Sequence, residues 1–311
     1  MTRKLKMLTG LLLLCMACSN VKETPKGFQY TVVRKGDGIL AKPTQVLVLA
    51  LTYKDAKDST WFDSKKVKTP ATVMIADTSA IKREEGIEEI FRQLSKGDSI
   101  TFSVVAQKLF DKTFHAPLPP KVDPKSEFFF ALGVRDIMDR DKFQKMLRDK
   151  QSKESAEQFG KDTVIIDNYL KEKNIVAQKT ASGLRYIVTK PGTGPFAEKG
   201  QLLSINYAGY LLNGKYFDTN IESVAKEKNL FQKNRPYKPF ESAMGGHRVI
   251  SGWEEAFPLM NKGSKITVYI PSTLAYGPNK RNADIVENSI LVFDMELLDI
   301  KDMKDNKPPI K

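Results

Sequence analysis

The stretch Met244–Gly263, MGGHRVISGWEEAFPLMNKG, decides how this chain is read. Trp253, Ala256, Phe257 and Met260 stand at i, i+3, i+4 and i+7, so they share one face of a short helix. Ser251 and Gly252 punctuate its start, and Lys262 and Gly263 its end. Val249 and Ile250 lead into it and can turn toward the Trp253 ring. Pro258 removes one backbone donor and is expected to bend the helix. Alone, the pattern describes a core helix packed on a sheet. Its neighbours narrow that reading. Tyr207, Tyr216-Phe217-Asp218 and Phe240 lie upstream; Ala275-Tyr276-Gly277, Ile285 and Phe293-Asp294 lie downstream.

A weakened copy of the same order occurs earlier. GFQYTVVRKGDG (Gly27–Gly38) matches GLRYIVTKPGTG (Gly183–Gly194) in pattern. Each alternates around a tyrosine and ends in glycine, which predicts a strand and a tight turn. Val46–Tyr53 parallels Leu202–Tyr210, and Trp61-Phe62-Asp63 parallels Tyr216-Phe217-Asp218. GIEEIF (Gly86–Phe91) parallels GWEEAF (Gly252–Phe257), and Lys96-Gly97-Asp98 parallels Lys262-Gly263-Ser264. Internal repetition of this kind argues for two domains of one fold. The copies differ in chemistry. Ile87 stands for Trp253, Arg83 and Glu84 for Val249 and Ile250, and Phe110 for Tyr276. The Tyr207 position falls on Leu51 or Thr52. Ile87, Ile90, Phe91 and Leu94 still form a packing face, so the first copy keeps its fold determinants and loses the others.

The chain has 311 residues, 41% hydrophobic and 28% charged, which suits two soluble domains and a connector. The domains are read as residues 27–134 and 180–301, with a helical connector over 135–179 and a flexible tail over 302–311. Arg135–Gly160 is dense in charge. Gly160 and Asp162 read as a break and a new cap, and Ile165, Ile166, Tyr169 and Leu170 form a better stripe. This predicts a long exposed helix followed by a short amphipathic one. The second copy also carries a longer excursion, Thr219–Pro239. It reads either as a flap beside the pocket or as a surface insertion, which costs little.

Arg3, Lys4 and Lys6 precede the apolar run Met7–Ala17, which is too short to span a bilayer comfortably. Cys18 directly after Ala17 makes this resemble a bacterial lipoprotein signal, with residues 1–17 removed, Cys18 acylated and residues 18–26 a polar tether. An ordinary signal peptide is the alternative. Cys15 and Cys18 are the two cysteines, so the mature chain would have no disulfide, thiolate nucleophile or cysteine metal site beyond the acylated residue. The net charge is +13, but the lysines are scattered and not interleaved with aromatics, so nucleic acid is not an expected partner. His115 and His247 are too isolated to indicate a metal site.

The ordered set around Trp253 resembles the FKBP-type peptidyl-prolyl isomerases. The resemblance implies an α+β fold with two FKBP-like domains, the first degenerate. Each would be a curved antiparallel β-sheet wrapped on a short helix. It implies a proline pocket with Trp253 as floor. Tyr207, Phe217, Asp218, Trp253, Tyr276 and Phe293 would be catalytic. Phe240, Val249, Ile250 and Ile285 would bind substrate, with the Ile250 N–H as a donor. No cofactor or metal is implied. The implied partners are proline-containing unfolded or nascent exported polypeptides, the membrane through a lipid on Cys18, and a second copy of the chain. The implied location is the bacterial cell envelope, at the outer membrane facing the periplasm. A non-catalytic chaperone or an envelope-assembly lipoprotein is the alternative. This chain departs from the family pattern at Arg281, where many members carry histidine, and at Asp284 and Glu287. The first copy is expected to fold without isomerising proline, because Ile87 brings no ring, Phe110 no hydroxyl, and Arg83 and Glu84 charge.

Overall fold

The structure, a computed structural model, describes residues 20–67, 69–77 and 86–302. Cys18, Arg83 and Glu84 lie outside the described residues. The chain divides into two compact units, Met1–Arg148 and Asp149–Lys311.

The first unit is built from β1 (Val21–Glu23), β2 (Gln29–Arg34), β3 (Val46–Asp55), β4 (Thr60–Asp63), β5 (Ala71–Met74), the helical turn α1 (Glu88–Phe91), β6 (Ser99–Val105), α2 (Ala106–Leu109) and β7 (Glu127–Met138). Alternation explains the strands. Tyr30 and Val32 on β2, Ile100, Phe102 and Val104 on β6, and Phe128, Phe130, Leu132 and Val134 on β7 all turn inward. They close on Ile87, Ile90, Phe91 and Leu94, the helical face expected from their spacing. The sheet order is β1-β2-β6-β7-β3-β4, with β5 also on β3, and every pair is antiparallel.

The second unit repeats this plan. Its strands are β8 (Gln178–Lys179), β9 (Arg185–Lys190), β10 (Gln201–Leu211), β11 (Tyr216–Thr219), β12 (Phe240–Ala243), β13 (Lys265–Ile270) and β14 (Leu291–Asp302). They run β8-β9-β13-β14-β10-β11, with β12 on β10. The helix α5 (Ser251–Ala256) lies in the core, and α4 (Glu222–Glu227) belongs to the longer excursion. At Pro258 the helix tightens into a 3-10 turn, Phe257–Leu259, the outcome expected where a donor is missing.

Register makes the correspondence between the copies residue by residue. A β-bulge falls between Val48 and Leu49 against β7, and between Ser204 and Ile205 against β14. A second falls between Tyr53 and Lys54 against β4, and between Gly209 and Tyr210 against β11. Gly97 and Gly263, both at positive φ, donate their N–H groups to Val134 and Leu297. The Tyr207 position is therefore Leu51 and not Thr52, and Gly209 corresponds to Tyr53. The parallel between Trp61-Phe62-Asp63 and Tyr216-Phe217-Asp218 is corrected by one residue. Trp61 stands at Phe217 and Phe62 at Asp218, because the bulge, and not the shared Phe-Asp pair, sets the pairing.

Two further expectations change. Val21–Glu23, read as part of a free tether, pairs with β2. The connector is one helix, α3 (Arg140–Glu172), that runs through Gly160. A single glycine costs a helix only about 1 kcal/mol, and packing of Ile166 and Leu170 against Tyr269, Ile290 and Val292 offsets it. Asp162 does not cap a new helix; it is buried against the second unit's sheet end.

α5 sits close to β13 because Gly252 has no side chain: a Cβ there would lie 2.4 Å from Ile270 Cγ2. Gly252→Ala is expected to cost about 1–3 kcal/mol of overpacking, read as a lower urea midpoint at unchanged slope. An unchanged midpoint would show that the helix can move away freely.

Candidate active site

The floor of the site is Trp253, which is 5% exposed. Three rings meet it nearly edge-on: Tyr207 and Phe293 at 5.1 Å and Phe240 at 5.7 Å between centroids. Phe217 meets Phe293 at 5.6 Å and 84°. Perpendicular rings place positive edges on negative faces, a favoured way for aromatic side chains to pack. β10, β11, β12 and β14 each supply one ring of this wall, and α5 supplies the floor. Gly209, opposite Phe293 on β14, makes the arrangement possible. A Cβ there would approach Phe293 and Phe217 ring atoms to 2.6–2.8 Å.

Val249 and Ile250 are half-buried beside the floor. The chain before them is fixed by α5 itself: Glu254 accepts the Gly245 and His247 N–H groups, each at 2.8 Å. Ile250 is extended, and no acceptor among the described residues takes its N–H. Ile285 is buried, with its N–H donated to Asn282 Oδ1 at 2.7 Å and its carbonyl accepting from Arg281 at 2.9 Å. Tyr276 is half-buried against the same cluster, and the Arg281 guanidinium stands 5.6 Å from its ring centre. Asp284 turns to Lys215, not into the ring cluster.

One corner is polar. The Tyr207 hydroxyl donates to Asp218 Oδ2 at 2.6 Å, and Arg235 Nη1 donates to Oδ1 at 2.6 Å. Burial, then the hydrogen bond and charge of Asp218, push the Tyr207 phenol above its ordinary pKa. Burial works against the charge on Arg235, but its hydrogen bond and ion pair with Asp218 outweigh that and hold it above its usual value. Two further side chains lock the backbone of Tyr207. Its N–H donates to Asn220 Oδ1 at 2.8 Å, and its carbonyl accepts from the Thr219 hydroxyl at 2.6 Å. Asn220 also donates to the carbonyls of Ile205 and Lys238, bridging the notch where β10 passes from β11 to β12. A cavity of about 480 Å³ adjoins this corner, between Tyr207, Asn220 and Phe240 on one side and Arg235 and Pro236 on the other. The excursion thus reaches the polar corner through Arg235.

The structure brings Tyr207, Phe217, Asp218, Phe240, Val249, Ile250, Trp253, Tyr276, Ile285 and Phe293 to one region. Arg235 and Asn220 were not singled out from sequence. Both lie in or next to a stretch with no periodicity, and the only available signal was a cation near the unpaired Asp218.

The first unit places different chemistry at the same register positions. Tyr53, at the Gly209 position, stacks on Phe130 at 5.0 Å and on Phe62 at 5.8 Å. Trp61 lies edge-on to Phe128 at 5.0 Å. Leu51 and Phe62 replace the hydroxyl and the carboxylate of the polar corner. Asp63 instead accepts the N–H of Lys65 at 2.9 Å in a local turn.

Residues 194–298 match the family model described as FKBP-type peptidyl-prolyl cis-trans isomerase. The isomerase FkpA of Buchnera aphidicola subsp. Schizaphis graminum is 40% identical over 126 residues, covering 40% of this chain and 44% of that protein. FkpA of Escherichia coli strain K12 is 34% identical over 152 residues, covering 49% and 50%. The crystal structure of Escherichia coli FkpA is similar at 29% identity and a TM-score of 0.37, covering 53% of this chain and 74% of that one. The chain spans about half the length of the curated relatives it matches. Over residues 194–298 the second unit is similar to the FKBP-type peptidyl-prolyl cis-trans isomerases.

Proposed function

We propose that the second unit catalyses cis-trans isomerisation of X-Pro bonds in exported polypeptides. The observation that carries this is the ring cluster: Tyr207, Phe217, Phe240 and Phe293 gathered around the Trp253 floor, brought close where Gly209 has no side chain, with one polar corner. Rotating an X-Pro bond breaks amide resonance against a barrier of about 20 kcal/mol. No covalent intermediate is needed. The planar amide is more dipolar than the twisted one, so a dry apolar site favours the twisted state. Each factor of ten in rate takes about 1.4 kcal/mol of such preference. The Ile250 N–H, left without an acceptor, supports a role as donor to a substrate carbonyl. The Tyr207–Asp218–Arg235 corner holds one side of the wall rigid.

The first unit, on this reading, does not isomerise proline. Tyr53 brings a ring where the second unit has Gly209, and Ile87 supplies no aromatic floor. Trp61 and Phe114 remain partly exposed, which supports a second role for this unit in holding apolar client segments.

Anchoring through Cys18 rests on Ala17-Cys18 after the apolar run. Among the described residues no helix is long and apolar enough to cross a membrane. β1 begins at Val21, so a lipid on Cys18 would tie the first unit to the bilayer within about 10 Å of chain. Multiple acyl chains give stable attachment where one is marginal.

Phe217→Ala and Trp253→Leu should each lower kcat/KM on X-Pro peptides at least about tenfold, a loss of roughly 1.4 kcal/mol of transition-state preference, with far-UV circular dichroism unchanged. A wild-type rate equal to buffer on several such peptides would sink the enzyme reading. Mass spectrometry of the mature N-terminal peptide should find Cys18 acylated and first in the chain. An unmodified Cys18 there excludes the lipid anchor.

A further inference from the structure

Asp162 lies on α3, far in sequence from the ring cluster, yet it is 0% exposed. A carboxyl with no access to water must be fully hydrogen-bonded to be tolerated. Its Oδ2 accepts both the backbone N–H of Ser272 at 2.8 Å and the Ser272 hydroxyl at 2.6 Å. Its Oδ1 accepts from Gln158 at 2.8 Å. Ser272 opens the 3-10 turn Ser272–Leu274 that follows β13. The carbonyl of Ser272 then accepts the N–H of Ala275 at 2.9 Å and of Gly277 at 2.8 Å. These two residues flank Tyr276. One carboxyl on the helix therefore fixes the serine from which both neighbours of Tyr276 hang.

The first unit is an internal control. Its Ala106 stands where Ser272 stands, directly after the equivalent strand. Ala106 has no hydroxyl, and its N–H goes to the carbonyl of Ser126 at 2.7 Å. The fold satisfies this donor locally, without a helix or a carboxyl. The clamp is an addition in the copy that carries Tyr276, and it is absent from the copy that carries Phe110. α3 is held in place for this by Ile166 and Leu170 and by Arg185, which is buried and paired with Asp167 at 2.7 Å.

We infer that Asp162 is a positioning residue for Tyr276, through which the connector helix sets the geometry of the proline site. The inference rests on the isomerase reading for its kinetic effect and on the hydrogen bonds alone for its placement of the turn. The test uses the full chain. Asp162→Ala should lower kcat on an X-Pro peptide about tenfold, as small misplacements near a site do, with KM changed less than about twofold. Asp162→Asn, which keeps an acceptor for Ser272 and can donate to a turned Gln158, should recover activity to within about twofold of wild type. In a Tyr276→Phe background the Asp162→Ala loss should shrink to less than about twofold, because the two act through one group. Hydrogen exchange at Ala275 and Gly277 should accelerate in Asp162→Ala. Ser272→Ala, which keeps the backbone bond, gives the same comparison if Asp162→Ala does not fold. Equal losses with and without the Tyr276 hydroxyl, or unchanged exchange at both amides, overturn the inference. If the wild-type chain shows no catalysis, the isomerase reading falls, and exchange alone decides whether Asp162 holds the turn.

Discussion

A missing side chain at Gly209 lets the rings of the second unit's site pack as they do. Its backbone sits opposite Phe293 and against Phe217, and a single added carbon would press into both rings. Interiors pack at crystal-like density, so space for a ligand must be kept open by geometry. Here Tyr207, Phe240 and Phe293 each stand edge-on to Trp253. The first unit has the same strand order, the same bulges and a side chain at this position. Tyr53 stacks on Phe130, and the same sheet becomes an ordinary aromatic core. The two copies thus share one fold and differ in whether this strand position carries a side chain.

The polar corner follows from the same geometry. Asp218 reaches Tyr207 because the bulge after Gly209 rotates β11, and Arg235 reaches Asp218 because the excursion folds back along β10. Side-chain exposures of 30% and 37% for Arg235 and Asp218 make this ion pair modest in energy. Its value lies in orientation: it ties the excursion to the wall. Asn220 and Thr219 complete the tie through the backbone of Tyr207.

Much of this was legible in the sequence. The helix around Trp253 and the twofold repeat follow from spacing, and the ring set from the resemblance to the FKBP-type isomerases. What sequence could not resolve was register. The Phe-Asp pair occurs in both copies and invites alignment, but a bulge has no side-chain signature, and it moves Asp63 off the Asp218 position. Asp162 after Gly160 has the composition of a helix start. Its true partner, Ser272, is 110 residues away, and only the tertiary fold brings them together. Arg235 was hidden for a similar reason, since an irregular segment has no period to read. Of the causes expected for inactivity in the first copy, the charge at Arg83 and Glu84 falls outside the described residues, while Ile87 and Phe110 are buried in that unit's core.

The central claim is that the ring cluster around Trp253 takes an X-Pro segment and the corresponding region of the first unit does not. Titrating the isotopically labelled full chain with an X-Pro peptide, and following backbone amide shifts, tests it most directly. The account predicts saturable shifts around Gly209, Ile250, Trp253 and Ile285, and none of comparable size around Leu51, Tyr53, Ile87 and Phe130. Saturable shifts of equal size in both sets would contradict it.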